Sequence, residues 1–162
     1  MENQYGRRPK VLRSDRGGEY TGHKVQQFLK EKGIKFQCST PHTPQQNGTS
    51  ERKNRYVMEM ARSMLTEGEL PNRFWGEAVI TANYLQNRLP SRVVNKTPFE
   101  LFHKVQPDLS HIRQFGCYAY VFVPKENRSK LDVKATKLKF VGYDHSSKGY
   151  RLMDPSTAKI TI

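Results

Sequence analysis

Apolar and polar positions change period several times along this chain, and each change marks an element. Lys10-Val11-Leu12-Arg13-Ser14 has strand character and ends on Asp15. Arg16-Gly17-Gly18-Glu19-Tyr20 reads as a turn, because two glycines permit positive φ or close backbone approach. Thr21 is placed to N-cap a helix over about residues 22–32, with Val25, Phe28, Leu29 and Lys32 on one face and Gly33 as its C-cap. Ile34 to Cys38 alternates apolar and polar, as a half-buried strand does. Strand, helix and strand in so short a span form a βαβ unit, with parallel strands and a right-handed crossover.

Pro41 to Gly48 is a loop, punctuated by two prolines and a glycine. A long helix follows, from about Thr49 to Glu67, with Met58, Ala61, Met64 and Leu65 as its apolar stripe. Glu51, Asn54, Arg55 and Met58 share one side of it by i, i+3, i+4, i+7 spacing. A second helix is expected over about residues 73–88, with Phe74, Trp75, Ala78, Val79, Ala82 and Leu85 at helical period. The lone Trp75 reads as a core anchor. Thr97-Pro98-Phe99-Glu100 has the capping-box pattern, so a short helix runs on to about His103. After Gln114 the texture changes to short aromatic and β-branched runs at 116–123, 137–143, 149–153 and 159–162. Separated by Gly, Pro, Asp and Ser turns, they predict a small antiparallel sheet or barrel. Tyr118, Tyr120, Phe122, Tyr143 and Tyr150 fall at alternate strand positions, and core packing is their default role.

Charge adds a partner class. The chain has 28 Lys+Arg against 15 Asp+Glu in 162 residues, a net +13. The excess is concentrated before residue 67 and after residue 110, with near balance between. Such a distribution suits a polyanionic partner facing two basic regions joined by a packing element. Cys38 and Cys117 lie far apart in strand-like contexts, without zinc-ligand spacing, and read as buried free thiols. No stretch approaches the ~20 apolar residues that span a bilayer.

The candidate chemistry lies at two carboxylates. Asp15 ends a strand and Glu51 opens a helix, with 35 residues between them. Either alone is explained by turn capping or by the helix dipole. Together they could converge on one metal site.

The segments Leu12-Arg13-Ser14-Asp15-Arg16-Gly17-Gly18-Glu19-Tyr20 and Thr43-Pro44-Gln45-Gln46-Asn47-Gly48-Thr49-Ser50-Glu51-Arg52-Lys53-Asn54-Arg55 resemble the integrase of copia-type LTR retrotransposons. That integrase is a retroviral-integrase-like DDE recombinase with an RNase H-like core. The spacing of Asp15 and Glu51 matches that of the family's second Asp and its Glu. The resemblance continues through Met60 to Leu65 and Phe74 to Ala78, and ends in Phe140-Val141-Gly142-Tyr143, which is similar to the SH3-like segment after the family's core.

The resemblance implies an α/β fold: a partial RNase H-like integrase core lacking its first strands, a helical connector and a small SH3-like antiparallel β segment. The implied divisions are residues 1–67 for the C-terminal half of the core, 68–110 for the connector and 111–162 for the SH3-like segment. It implies DNA integration by two-metal phosphoryl transfer, as part of a retrotransposon Pol polyprotein. Asp15 and Glu51 would be catalytic and would each hold Mg²⁺ or Mn²⁺, whose hardness suits carboxylate oxygens. Gln45, Gln46 and Asn47 would position DNA from their loop, and Lys53, Asn54 and Arg55 would face DNA from the helix. His42, in the same loop, reads as a solvated histidine.

The partners implied are retroelement ends and target DNA, with a homo-oligomer in the parent integrase and no membrane. The compartment implied is the nucleus, after a cytoplasmic particle. The family's first Asp has no counterpart among the residues before Asp15, where Glu2 is the sole acid. The polypeptide alone is therefore expected to be inactive and poorly stable, its two parallel strands leaving open edges. The alternative is a non-catalytic, basic nucleic-acid-binding remnant or domesticated module, and a third reading is a relic without function.

Overall fold

The computed structural model describes residue 6 and residues 8–15, 17–40, 48–90, 94–144 and 146–162. The chain divides into two compact units, Met1–Asn54 and Arg55–Ile162.

The first unit is built on β1 (Val11–Ser14) and β2 (Lys35–Cys38), paired in parallel with Val11 opposite Lys35 and Ser14 opposite Cys38. Between them lie a single-turn α1 (Gly18–Thr21) and α2 (His23–Glu31). This is the expected βαβ arrangement. Gly33 terminates α2 at φ +65°, while the Ile34 N–H reaches back to the Leu29 carbonyl at 2.8 Å. That pattern is a Schellman close, which glycine permits because it lacks a Cβ. Leu29 is buried on the inner face of α2. Phe28, one residue away, is exposed.

Three local expectations change here. The turn expected over 16–20 is helical from Gly18 to Thr21. Thr21 closes α1 instead of capping α2; its hydroxyl donates to the Gly17 carbonyl at 3.3 Å, and Gly22 takes the N-cap position. Cys38, expected to be buried, is an exposed free thiol at the end of β2.

α3 (Gly48–Glu67) belongs by its first turns to the first unit and by the rest to the second. Its buried stripe is Val57, Ala61 and Leu65, at i, i+4 and i+8. Ala61 and Leu65 are buried as expected, but Val57 takes the place predicted for Met58, which is exposed, and Met64 is only half-buried. Met and Val alternate too closely here for hydropathy to choose between adjacent faces, and the β-branched side is the one covered.

In the second unit a 3-10 turn (Asn72–Phe74) leads into α4 (Trp75–Gln86), and a short α5 (Pro98–His103) follows. The Thr97 hydroxyl accepts the Glu100 N–H at 2.9 Å, half of the expected capping box. The Glu100 carboxylate turns instead to Lys96, at 3.6 Å. β3 (Tyr118–Phe122), β4 (Ala135–Tyr143), β5 (Tyr150–Met153) and β6 (Ile160–Thr161) form one antiparallel sheet in sequence order. The architecture is thus α/β, as predicted: a parallel βαβ element, helices, and a four-stranded antiparallel sheet.

The unit's core joins helix to sheet. Val57, Ala61 and Leu65 of α3 meet Leu70, Phe74, Ala78 and Ala82, together with Phe115, Val141 and Met153. A second cluster holds Leu138, Phe140, Tyr143 and Leu152 under Tyr84, Ala119 and Val121. The two fully buried alanines on α4 let the β4 backbone approach: the Thr81 hydroxyl donates to the Val141 carbonyl at 3.4 Å. The register of β4 with β5 shifts between Phe140 and Gly142 at that point. Trp75, expected as a core anchor, is 59% exposed, and its neighbour Phe74 is the buried ring at 5%. The 3-10 turn sets this choice, since it rotates Phe74 rather than Trp75 toward α3.

Candidate active-site cleft

β1 delivers Asp15 to the rim of a cleft in the first unit. The Asp15 carboxylate accepts the Gly17 N–H at 3.1 Å and the Ser14 hydroxyl at 3.3 Å, both through Oδ1. This is the local bond by which an Asp turns the chain out of a strand, and it fixes the carboxylate while leaving it exposed. Glu51 lies in the first turn of α3 and is exposed. A carboxylate there is favoured by the exposed N–H groups and the helix dipole.

The cleft has a volume of about 290 Å³ and is lined by Leu12 to Asp15, Glu19, Tyr20, Ser50, Glu51 and Asn54. Strand end and helix start therefore bring Asp15, Glu51 and Asn54 to one place. Glu19 joins them. A Cβ on Gly17 would fall 2.6 Å from both Glu19 carboxylate oxygens, so glycine at that position leaves room for Glu19 to fold back. The sequence signal for Glu19 is its nearness to Asp15 across the double glycine, and its side chain is exposed.

The remaining predicted residues are dispersed. Arg52 folds back, its Nε donating to the Gly48 carbonyl at 3.0 Å. Lys53 is exposed on α3 and does not line the cleft, and Arg55 is exposed at the start of the second unit. Gln45, Gln46, Asn47 and His42 lie outside the described residues.

The donor set of the cleft is of the right chemical kind for a hard divalent ion: carboxylate and amide oxygens, solvent-accessible. Magnesium commonly takes one or two protein carboxylates and keeps waters on its remaining positions. Among the described residues no group of three or more His, Cys, Asp or Glu stands ready to hold a metal ion.

The second unit has a larger cleft, about 750 Å³, that no sequence motif indicated. Tyr84 stacks on Tyr143 with centroids 4.4 Å apart, and the Arg88 guanidinium lies 3.5 Å above the Tyr84 ring. The Tyr84 hydroxyl and His111 Nε2 are 2.7 Å apart. Burial pushes the Tyr143 phenol up, despite the Arg113 N–H bonded to its oxygen. At the mouth, Asp144 is held down to about 2 by the Ser146 hydroxyl and by Ser147. These residues come from α4, from the 103–113 segment and from the sheet, so only folding unites them.

Residues 117–162 match the family model of the retroviral polymerase SH3-like domain. The chain is 45% identical, over 99% of its length, to the retrovirus-related Pol polyprotein from transposon TNT 1-94 of Nicotiana tabacum. It is 32% identical over its whole length to the corresponding polyprotein from transposon RE1 of Arabidopsis thaliana. It spans only 12% and 11% of those two relatives.

Among solved structures, the HTLV-2 integrase catalytic core in complex with magnesium matches 63% of this chain and 62% of its own, with a TM-score of 0.50 at 21% identity. The integrase-containing intasome of simian T-cell lymphotropic virus, solved with a PP2A regulatory subunit, matches 98% of this chain and 56% of its own, with a TM-score of 0.55 at 17% identity. At those identities the likeness speaks for the fold. Among the described residues no helix is long and apolar enough to cross a membrane. By sequence the chain belongs to the retrovirus-related Pol polyproteins of transposons, as a segment whose fold is like that of an integrase catalytic core and whose residues 117–162 match the SH3-like domain.

Proposed function

We propose that this segment supplies two of the metal-holding carboxylates, and part of the DNA-binding surface, of a copia-type integrase that inserts element DNA by phosphoryl transfer. One observation carries the reading: the strand-end Asp15 and the helix-borne Glu51, with 35 residues between them, line a single cleft with Asn54. Asp15 and Glu51 would hold magnesium or manganese. A pair of such ions supplies an activated oxygen nucleophile and charge stabilisation at phosphorus.

The chain's own residues do the rest. The Gly17 N–H and Ser14 hydroxyl orient the Asp15 carboxylate so that Oδ2 is left for a ligand. The N-terminal turn of α3 aims Glu51 at the same space. Asn54, one turn on, offers an amide to a phosphate or to the ion's waters. The basic side chains of both units would contact phosphates without sequence preference. The site of action would be nuclear DNA, and the partners element ends, target DNA and further integrase copies.

The test uses the integrase that carries this segment. Asp15→Asn and Glu51→Gln should each abolish strand transfer while DNA affinity and melting temperature hold, because both side chains are exposed. Persistence of transfer in either variant overturns the reading. A second reading takes the separate chain as a binding module, favoured by its net charge of +13. It should bind DNA with a steep salt dependence and transfer no strands; metal-dependent transfer that Glu51→Gln abolishes would exclude that second reading.

A further inference from the structure

Strand β3 has two faces of unlike character. Ala119 and Val121 point inward and pack against the Leu138, Phe140 and Leu152 cluster. The residues between them point outward. Tyr118 is 54% exposed, Tyr120 70% and Phe122 65%. Scattered surface aromatics are ordinary, but three at consecutive outward positions form a patch, and such patches mark interaction sites. Strand geometry spaces these rings by about 6.6 Å.

The surroundings of the rings are cationic. In the β3–β4 register Tyr118 faces Lys139 and Tyr120 faces Lys137. Lys137 Nζ lies 3.7 Å from the Tyr118 centroid and Lys139 Nζ 5.4 Å from it, while the Arg128 guanidinium is 5.8 Å from the Phe122 ring. Neither β3 nor β4 contains an acidic residue. A second copy of this face would meet it with like charge. A duplex offers phosphates but keeps its base faces stacked on one another. A strand with unpaired bases supplies both the flat apolar faces and the negative charge that this surface lacks.

We infer that the outward face of β3 is a stacking platform for single-stranded nucleic acid, with Tyr118, Tyr120 and Phe122 taking bases and Lys137 and Arg128 taking phosphates, while Lys139 donates to the Gly68 carbonyl at 2.8 Å and holds the edge of the face. The inference rests on the nucleic-acid-binding reading above and adds the strandedness of the ligand and the residues that select it. Tyr120 is the central contact, since it is the most exposed of the three rings.

Fluorescence anisotropy of the chain with labelled oligo-dT and with a blunt duplex of equal length tests it. Tyr120→Ala should weaken oligo-dT binding by about tenfold, and the triple alanine variant by more. Duplex affinity and the salt slope should hold, because no charge is removed. Tyr120→Phe should retain wild-type affinity for oligo-dT. Tyr120→Trp reads the contact directly: its emission should be quenched by oligo-dT and not by duplex.

An equal loss on duplex, or no loss on oligo-dT, overturns the inference. So does a Tyr120→Phe variant as weak as Tyr120→Ala. A dimer dissolved by the alanine variants with oligo-dT binding unchanged would make the face a contact between copies and overturn it as well. If the wild-type chain binds duplex but not oligo-dT, the platform falls and the nucleic-acid reading stands. If it binds neither, both fall.

Discussion

Arg151 on β5 and Glu77 on α4, 74 residues apart in sequence, form a forked ion pair. Nε reaches Glu77 Oε2 at 2.9 Å and a terminal guanidinium nitrogen reaches Oε1 at 2.6 Å. Both side chains are largely covered, at 28% and 16% exposure. The hydrogen bonds that the Arg151 guanidinium donates to Glu77, and the Glu77 charge, hold it above its ordinary range. The pair ties the helix to the sheet beside the point where Gly142 passes under Thr81.

Removing one partner leaves the other charge half-desolvated. Glu77→Gln or Arg151→Met should therefore each destabilise the second unit by roughly 2 kcal/mol. Urea denaturation of both single variants and the double variant checks this. The double should cost less than the sum of the singles, because it leaves no orphaned charge.

Gly68 and Gly116 bring two stretches of backbone into close approach. Gly116 sits at φ +82°, and a Cβ there would overlap the Gly68 backbone. Backbone atoms on both sides cannot swing away as a side chain can. Gly116→Ala should cost at least about 3 kcal/mol, combining left-handed strain with the clash. Loss of cooperative thermal unfolding in the sheet would be its signature, and a variant as stable as wild type would refute it.

Adjacent aromatics should differ sharply. Phe74 is buried at 5% among α3 and α4 residues, while Trp75 is 59% exposed. Phe74→Ala should cost about 3–5 kcal/mol by transfer and cavity formation, and Trp75→Ala about 1 kcal/mol or less. Chemical denaturation midpoints decide between this assignment and Trp75 as the core anchor.

Three turn carboxylates predict an acid limit. Asp108 is lowered by the Ser110 N–H and hydroxyl, Asp144 to about 2 by Ser146 and Ser147, and Asp154 by the Ser156 hydroxyl and N–H. Each is a stronger acid in the folded chain than in the unfolded one, where a carboxyl titrates near about 3.9. Their stabilisation is complete above that value and is lost as pH falls through the folded value. Denaturation midpoints should hold between pH 7 and about 5, then drop toward about 2. Asp144→Asn should flatten part of that drop.

Much of the fold was legible in the sequence. The two glycines after Asp15, the Gly33 stop, the Thr97 cap and the alternating runs after residue 116 are local signals, read by neighbours within a few residues. The pairing of Asp15 with Glu51 was legible for a related reason. A strand end and a helix start at fixed spacing constrain each other through the βαβ connection between them. What could not be read was which of two adjacent apolar residues faces inward. Met58 and Trp75 were expected to face inward and are exposed, and so are Tyr118, Tyr120 and Phe122, whose default reading was core packing.

The sequence by itself determined the element order, the strand directions, the basic charge and the two carboxylates of the cleft, because those depend on local geometry and counting. The tertiary structure alone decided which face of α3 is covered and that Phe74 rather than Trp75 is buried. It also decided that the aromatics of β3 face solvent beside Lys137 and Lys139. Burial is set by what packs against a surface, and that neighbour comes from a distant part of the chain.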